Sequence, residues 1–270
     1  MIFVRDKGRM CNNMLQYGHV YAWAREHHRA SVSMRFAYKY PYFHISDTKY
    51  HNFFFYLLGK YGAKLRFLNT VSIDDNYWSK DEVEQQIEQH RHILVEGWYV
   101  RFYDLFLKYK TEICQLFTFK PEIEDNVATS FQQDNADIRL GVHIRRGDYI
   151  KWYDGKYYYS DEQMIRQIKQ FVALQNNKSV SIWICGNDPN INKAAYGNAF
   201  GEANVSFPCG NSAEDLCLLS HCDYIMGAPS TFSLVASMYH DTPLYWILDP
   251  NSEVTPQSFS HFDYLFRHIL

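Results

Sequence analysis

The 270-residue sequence has no basic excess: 27 Lys and Arg against 30 Asp and Glu leave a formal net charge of −3. A nucleic-acid binder carries a positive surplus, so that class is set aside, although local basic clusters suit a small anion such as a nucleotide phosphate. It has no apolar run of 18 residues, and the short one in MIFVRDKGRM falls below signal-peptide length. None of the six cysteines forms a CxxC pair. Cys185, Cys217 and Cys222 fall inside expected elements and read as free thiols of a reducing compartment. The sequons at Asn177 and Asn204 therefore carry no weight. A GxGxxG fingerprint, short repeats and low-complexity tracts are all lacking. The expectation is a soluble, cytoplasmic, globular chain.

What is present is alternation. IFVR (2–5) reads as a strand, followed by the loop DKGRMCNN and a helix from about Met14 to His28. SVSMRF (31–36) returns as a strand, which makes one βαβ unit. Further on, HNFFFYLLGKYG (51–62) and KDEVEQQIEQHRH (80–92) read as helices and HILVEGWY (92–99) as a strand. The polar stretch FQQDNAD (131–137) lacks apolar periodicity and reads as a linker.

In DIRLGVHIRRGD (137–148) the residues Ile138, Leu140, Val142 and Ile144 alternate strictly, the period of a half-buried strand. His143 and Arg145 then share the other face. Ser160 and Gln163 have capping-box spacing ahead of a helix, and SVSIWIC (179–185) is the return strand. NSAEDLCLLSHC (211–222) and STFSLVASMYH (230–240) read as helices, CDYIMGA and PLYWIL as strands. The expected fold class is α/β, two Rossmann-like halves with largely parallel sheets, spanning 1–135 and 136–270.

Three strand-to-helix loops hold candidate site residues. GRMCNN (8–13) places backbone N–H groups at a helix start, suited to an anion or a hydroxyl-rich ligand, although Asn12 or Asn13 could simply cap the helix. HIRRGDY (143–149) puts two arginines beyond a strand end, where α/β folds bind ligands and where guanidinium groups grip phosphate. The bland readings are a surface ion-pair cluster or a chance Arg-Gly-Asp tripeptide. GAPSTF (227–232) offers Ser230 and Thr231 at a helix N-terminus, as anion donors, as caps, or as both. Asp215 lies in the first turn of its helix, where acids are favoured anyway, yet a carboxylate there could accept two bonds from a guanine edge. The histidines at 27, 28, 90 and 92 have no ligand-spaced carboxylate or cysteine and read as surface residues. KWYDGKYYY (151–159) could stack on sugar faces or form a packed lid.

These motifs together resemble the α-1,2-fucosyltransferase family of glycosyltransferases. GRMCNNMLQYG looks like that family's GxLGNQMFQYA opening, and GVHIRRGDY is its HxRRGDY motif. EDLCLLSHCDYIMGAPSTFSLVASM is similar to its third block, and EGWYVRFYDLF with FTFKP resembles the segment before the linker. Cys11, Asn13 and Leu234 depart from the residues usual there.

The resemblance implies a GT-B architecture with a cleft, an acceptor-side half (1–135) and a GDP-sugar half (136–270). It implies an inverting transfer of fucose from GDP-fucose without a metal or other cofactor. The 2-OH of a galactose is the expected acceptor, in a bacterial surface polysaccharide or lipopolysaccharide. Carried over, Arg145 would bind the β-phosphate with His143 and Arg146 in support. Asp215 would read guanine, and Ser230, Thr231 and Phe232 would hold the diphosphate. Asn12 would reach the fucose or phosphate. Asp148 is the candidate base, with Glu96 and Asp188 behind it, unless it pairs with an arginine or the departing phosphate takes the proton. The partners expected are GDP-fucose and a glycan, with peripheral contact at the inner membrane through lipid-linked acceptors. Alternatives are a transferase using another GDP-sugar, such as GDP-mannose, and a binding module that has lost catalysis.

Overall fold

The computed structural model describes residues 1–73, 79–98, 101–186 and 188–269. Tyr99, the last residue of the expected strand 92–99, and Val100 beside it lie outside the described residues. Two compact units make up the chain, Met1–Lys120 and Pro121–Leu270.

In the first unit β1 (Ile2–Arg5), β2 (Ser31–Ser33), β3 (Asn69–Ser72) and β4 (Ile93–Glu96) form a parallel sheet of order β2-β1-β4-β3. Parallel neighbours require crossovers, supplied by α1 (Met10–Glu26), α2 (Phe53–Lys64) and α3 (Lys80–Glu88). Two further helices, α4 (Tyr103–Lys108) and α5 (Lys110–Leu116), follow the sheet. The expected strand at 31–36 stops at Ser33, because the chain turns there and the Phe36 N–H donates to Ser33 Oγ. Helix α1 is buried nearly all round, which leaves no polar face to mark it in the sequence.

In the second unit β5 (Ile138–Ile144), β6 (Val180–Gly186), β7 (Val205–Ser206), β8 (Tyr224–Gly227) and β9 (Leu244–Trp246) form a parallel sheet. Its order, β7-β6-β5-β8-β9, is that of a Rossmann half. The helices are α6 (Pro121–Phe131), α7 (Asp161–Ala173), α8 (Lys193–Phe200), α9 (Ser212–Ser220), α10 (Thr231–His240) and α11 (Phe262–Phe266). The Ser160–Gln163 capping box forms as the spacing predicts.

Strand β5 departs from the half-buried reading. It is central, so helices cover both faces and Gly141 and His143 are as buried as Leu140 and Val142. Helix α9 packs on the Gly141 side, where a Cβ would stand 2.7 Å from Leu219. Helix α6 belongs to this unit because Ile123 and Val127 are buried and Asn126 donates to Glu214 of α9 at 2.7 Å. The units therefore divide at Lys120 and Pro121, while the polar stretch 131–137 lies inside the second unit.

Candidate functional site

The two strands that leave the middle of the second sheet in opposite directions are β6 and β8, on either side of β5. Ligands of open α/β sheets bind at that switch point, beyond the carboxyl ends of the strands. One register row crosses it: Cys185 on β6, His143 on β5, Gly227 on β8 and Trp246 on β9 are successive partners. Gly227 is required there, since a Cβ would stand 2.3 Å from the His143 carbonyl oxygen.

The loops after β5 and β8 are sewn together above this row. The His143 ring stacks on Phe232, centroids 4.9 Å apart, and Tyr149 Oη donates to the Pro229 carbonyl at 2.5 Å. Burial, reinforced by the Arg145 charge, pulls the His143 pKa down to about 3, so the ring is neutral. Its Nδ1 is buried without a hydrogen-bond partner among the described residues.

The two arginines have separate jobs. Arg146 is buried, donating to the Tyr159 carbonyl at 3.0 Å and pairing with Asp161 at 2.6 Å and Asp188 at 3.2 Å. Burial alone lowers its affinity for the proton, and the two carboxylates more than reverse that. Arg146 thus braces the loop. Arg145 meets Asp148 at 2.7 Å, a carboxylate that is 55% exposed, and lies over the Tyr149 ring. Its Nε is buried without a hydrogen-bond partner among the described residues. A guanidinium with donors to spare and one surface counter-ion is suited to taking an anion.

Ser230 caps α10 by accepting from the Phe232 N–H at 3.1 Å, so it serves the helix. Thr231 begins that helix, whose N-terminus carries partial positive charge toward the Arg145 loop. Asp215 lies in the first turn of α9, following the Asn211–Glu214 capping box. Desolvation and the Glu214 charge push its pKa up to about 7, and a hydrogen bond from Cys185 opposes the rise. That bond places Asp215 beside the row that holds His143.

In the first unit the corresponding loop follows β1. Helix α1 begins at Met10, so Asn12 and Asn13 lie inside its first turn, and neither is the cap; Arg9 is, without a side-chain bond. Gln16 holds the loop, accepting from the Lys7 N–H at 3.0 Å and donating to the Lys7 carbonyl at 2.7 Å. Gly8, at φ +85°, sits so close to Asn12 that a Cβ would stand 2.6 Å from its Nδ2. Asp6 is a residue that sequence reasoning passed over. Burial pushes its pKa up to about 7 while Ser33 Oγ donates to it at 2.6 Å. A buried carboxyl is invisible in a sequence where IFVRD reads as a strand leaving into solvent.

All three candidate base carboxylates are ion-paired: Asp148 with Arg145, Asp188 with Arg146, and Glu96 with Arg5 at 2.5 Å. The tyrosine-rich stretch is packed in part, with Tyr157 and Tyr159 buried and Tyr153 and Tyr158 exposed. Among the described residues one group could hold a metal ion, Glu124, Cys217 and His221, and it links α6 to the end of α9.

A family model described as glycosyl transferase family 11 matches residues 1–242. The chain belongs to that family. It is a glycosyltransferase, and the family is one of fucosyltransferases. A search of curated proteins found no significant match. Solved structures similar to this family 11 member include POFUT1 in complex with GDP, at 13% identity over 89% of this chain and 94% of that one, with a TM-score of 0.62. An Arabidopsis thaliana FUT1 mutant in complex with GDP is 12% identical over 96% of this chain and 73% of that one, TM-score 0.62. NodZ α-1,6-fucosyltransferase soaked with GDP-fucose is 13% identical over 90% and 94%, TM-score 0.57; another NodZ structure is from Bradyrhizobium. At such identities the likeness is one of fold, and the fold of this family 11 enzyme is α/β and GT-B-like.

Proposed function

We propose that the chain transfers L-fucose from GDP-fucose to a glycan hydroxyl, the 2-OH of a galactose, with inversion and without a metal. The observation that carries the reading is Arg145, a mostly buried guanidinium with spare donors at a Rossmann switch point, in a loop tied to the one that starts α10. Breaking the fucose–phosphate bond leaves negative charge on the departing GDP. Arg145 and the start of α10 meet that charge with preorganised positive ends, worth about 3 kcal/mol for one key donor. Neutral His143, locked against Phe232, holds the strand end and adds no charge. Asp215 in its ionised form reads the guanine edge. Asn12, in the first turn of α1, is the first unit's candidate for contact with the fucose or phosphate.

Since Asp148, Asp188 and Glu96 are each ion-paired, the departing diphosphate takes the acceptor proton. Asp148→Asn distinguishes the cases: loss of a general base costs roughly 10²–10⁴ in kcat, whereas loss of a counter-ion to Arg145 leaves kcat within a few-fold. The reading as a whole is tested by GDP release from GDP-fucose with EDTA present, across galactose-terminated acceptors, with GDP-mannose and UDP-galactose as control donors. Release from GDP-fucose alone, raised by one acceptor, is expected. Turnover of GDP-mannose instead would move the enzyme to another donor. GDP binding with no turnover of any donor would favour the module that has lost catalysis.

A further inference from the structure

Half of the exposed large hydrophobic side chains among the described residues cluster on one short segment. Phe53, Phe54, Leu58, Tyr61, Leu65 and Phe67 all lie on α2 or the turn that follows it, with Phe54 68%, Leu65 60% and Phe67 82% exposed. Phe54, Leu58, Tyr61 and Leu65 recur at i, i+4, i+7 and i+11, one stripe of the helix. The opposite stripe is the one that holds α2 to its unit. Phe55, Tyr56 and Ala63 pack against the cluster of Phe3, Val32, Met34 and Leu94. Gly59 rests on Phe3, where a Cβ would stand 2.8 Å from the ring. The aromatic stripe is therefore surplus to folding.

The charges beside it have one sign. Residues 49–67 contain Lys49, Lys60, Lys64 and Arg66 and no Asp or Glu, in a chain whose net charge is −3. Lys60 and Lys64 lie on the flank of the stripe next to Phe53, and the Lys60 ammonium sits 5.6 Å over Tyr56 and 5.7 Å over Tyr61. Aromatic and leucine side chains on one face with lysines at their margin are what a helix lying in the surface of a bilayer presents. A cationic rim selects an anionic lipid surface.

We infer that α2 and the turn through Phe67 dock this enzyme on anionic lipid bilayers. The aromatic and leucine side chains enter the interface while Lys60, Lys64 and Arg66 meet lipid phosphate. No helix of the described residues is long and apolar enough to cross a membrane. The surface lies in the first unit, apart from the Arg145 site, and stands or falls separately from the transfer reaction.

Co-sedimentation of the whole chain with vesicles tests it. Binding is expected to vesicles of equal phosphatidylglycerol and phosphatidylcholine, to be much weaker with phosphatidylcholine alone, and to fall as NaCl is raised, because surface charge is screened. Phe54→Ser with Phe67→Ser, and separately Lys60→Glu with Lys64→Glu, should each weaken binding at least 10-fold. These are exposed positions, so circular dichroism and GDP affinity should be unchanged. Wild-type protein that ignores phosphatidylglycerol vesicles, or variants that bind them as well as wild type, would overturn the inference. So would a concentration-dependent dimer in sedimentation velocity that the phenylalanine variant abolishes while vesicle binding is absent, since a second copy would then cover the stripe.

Discussion

Arg145 and Arg146 are adjacent in the chain and opposite in circumstance. In the proposed reaction Arg145→Ala removes a donor to the diphosphate and leaves the Arg146 ion pairs intact. A loss of about 10²–10³ in kcat is expected with little change in melting temperature. Arg146→Ala strands Asp161 and Asp188 around an emptied, buried position and should cost about 3–5 kcal/mol of stability. Urea titration and kinetics on the same two proteins check both. The reverse pattern would exchange the roles given to the two arginines.

Two carboxyls near neutrality make pH informative at the same scale. In the proposed site Asp215 reads guanine when ionised, and its pKa is raised to about 7, so GDP affinity should climb as pH rises to about 7 and level off above. Calorimetry of wild type and Asp215→Asn checks this, because the variant should bind weakly at every pH without the climb. Asp6 acts on stability. Its folded pKa of about 7 exceeds the unfolded value near 3.8, so the folded state holds its proton longer. That contribution is greatest below pH ~4 and is lost as pH rises to about 7. Buried His19, His51 and His143, each pulled down to about 3, act the other way and withdraw stability as pH falls below about 6.5. Asp6→Asn should therefore flatten the decline between pH 4 and 7 by a few kcal/mol and leave the histidine contribution alone. Urea midpoints across that range decide it.

At the scale of elements, what was legible followed from how each one meets its surroundings. Strands β5, β6, β8 and β9 and helices α7, α9 and α10 stand close to where apolar runs, caps and turn residues put them, because each has a clear terminus. Helix α1 starts four residues earlier than its sequence suggests, since Arg9 supplies no side-chain cap and Met10, Cys11 and Asn13 are buried without a helical period. Candidate site residues could be named where they sit in a contiguous motif, as in HIRRGD and GAPSTF. The arrangement was not readable where it depends on register: nothing in the sequence says that Cys185 stands opposite His143 and bonds Asp215. Gly227→Ala tests the register row directly. A methyl group against the His143 carbonyl should force β5 and β8 apart, with a fall in melting temperature and loss of GDP binding together.

The whole molecule is two units, and their division tests how α6 is shared. A fragment beginning at Pro121 retains Ile123, Val127 and the Asn126–Glu214 bond, so it should fold cooperatively and bind GDP. One beginning at residue 136 exposes the face of α9 that α6 covers and should be less stable by a few kcal/mol. Thermal melts of the two fragments check it, and equal stability would mean that α6 is an appendage. The sequence placed the join at the polar stretch 131–137 because composition registers solvent exposure, while membership of a unit is decided by which buried side chains meet.

The Arg145–Asp148 pair has a consequence in time. In the proposed reaction the guanidinium keeps an anion within reach whether or not nucleotide is bound, so arrival of the diphosphate and its departure would be exchanges of one partner for another. A departing phosphate is replaced at once, and the empty site never holds a bare buried charge. Removing the replacement should lengthen the residence of GDP. In Asp148→Asn, stopped-flow displacement is expected to show slower GDP release, and turnover would then be limited by the product's leaving rather than by transfer.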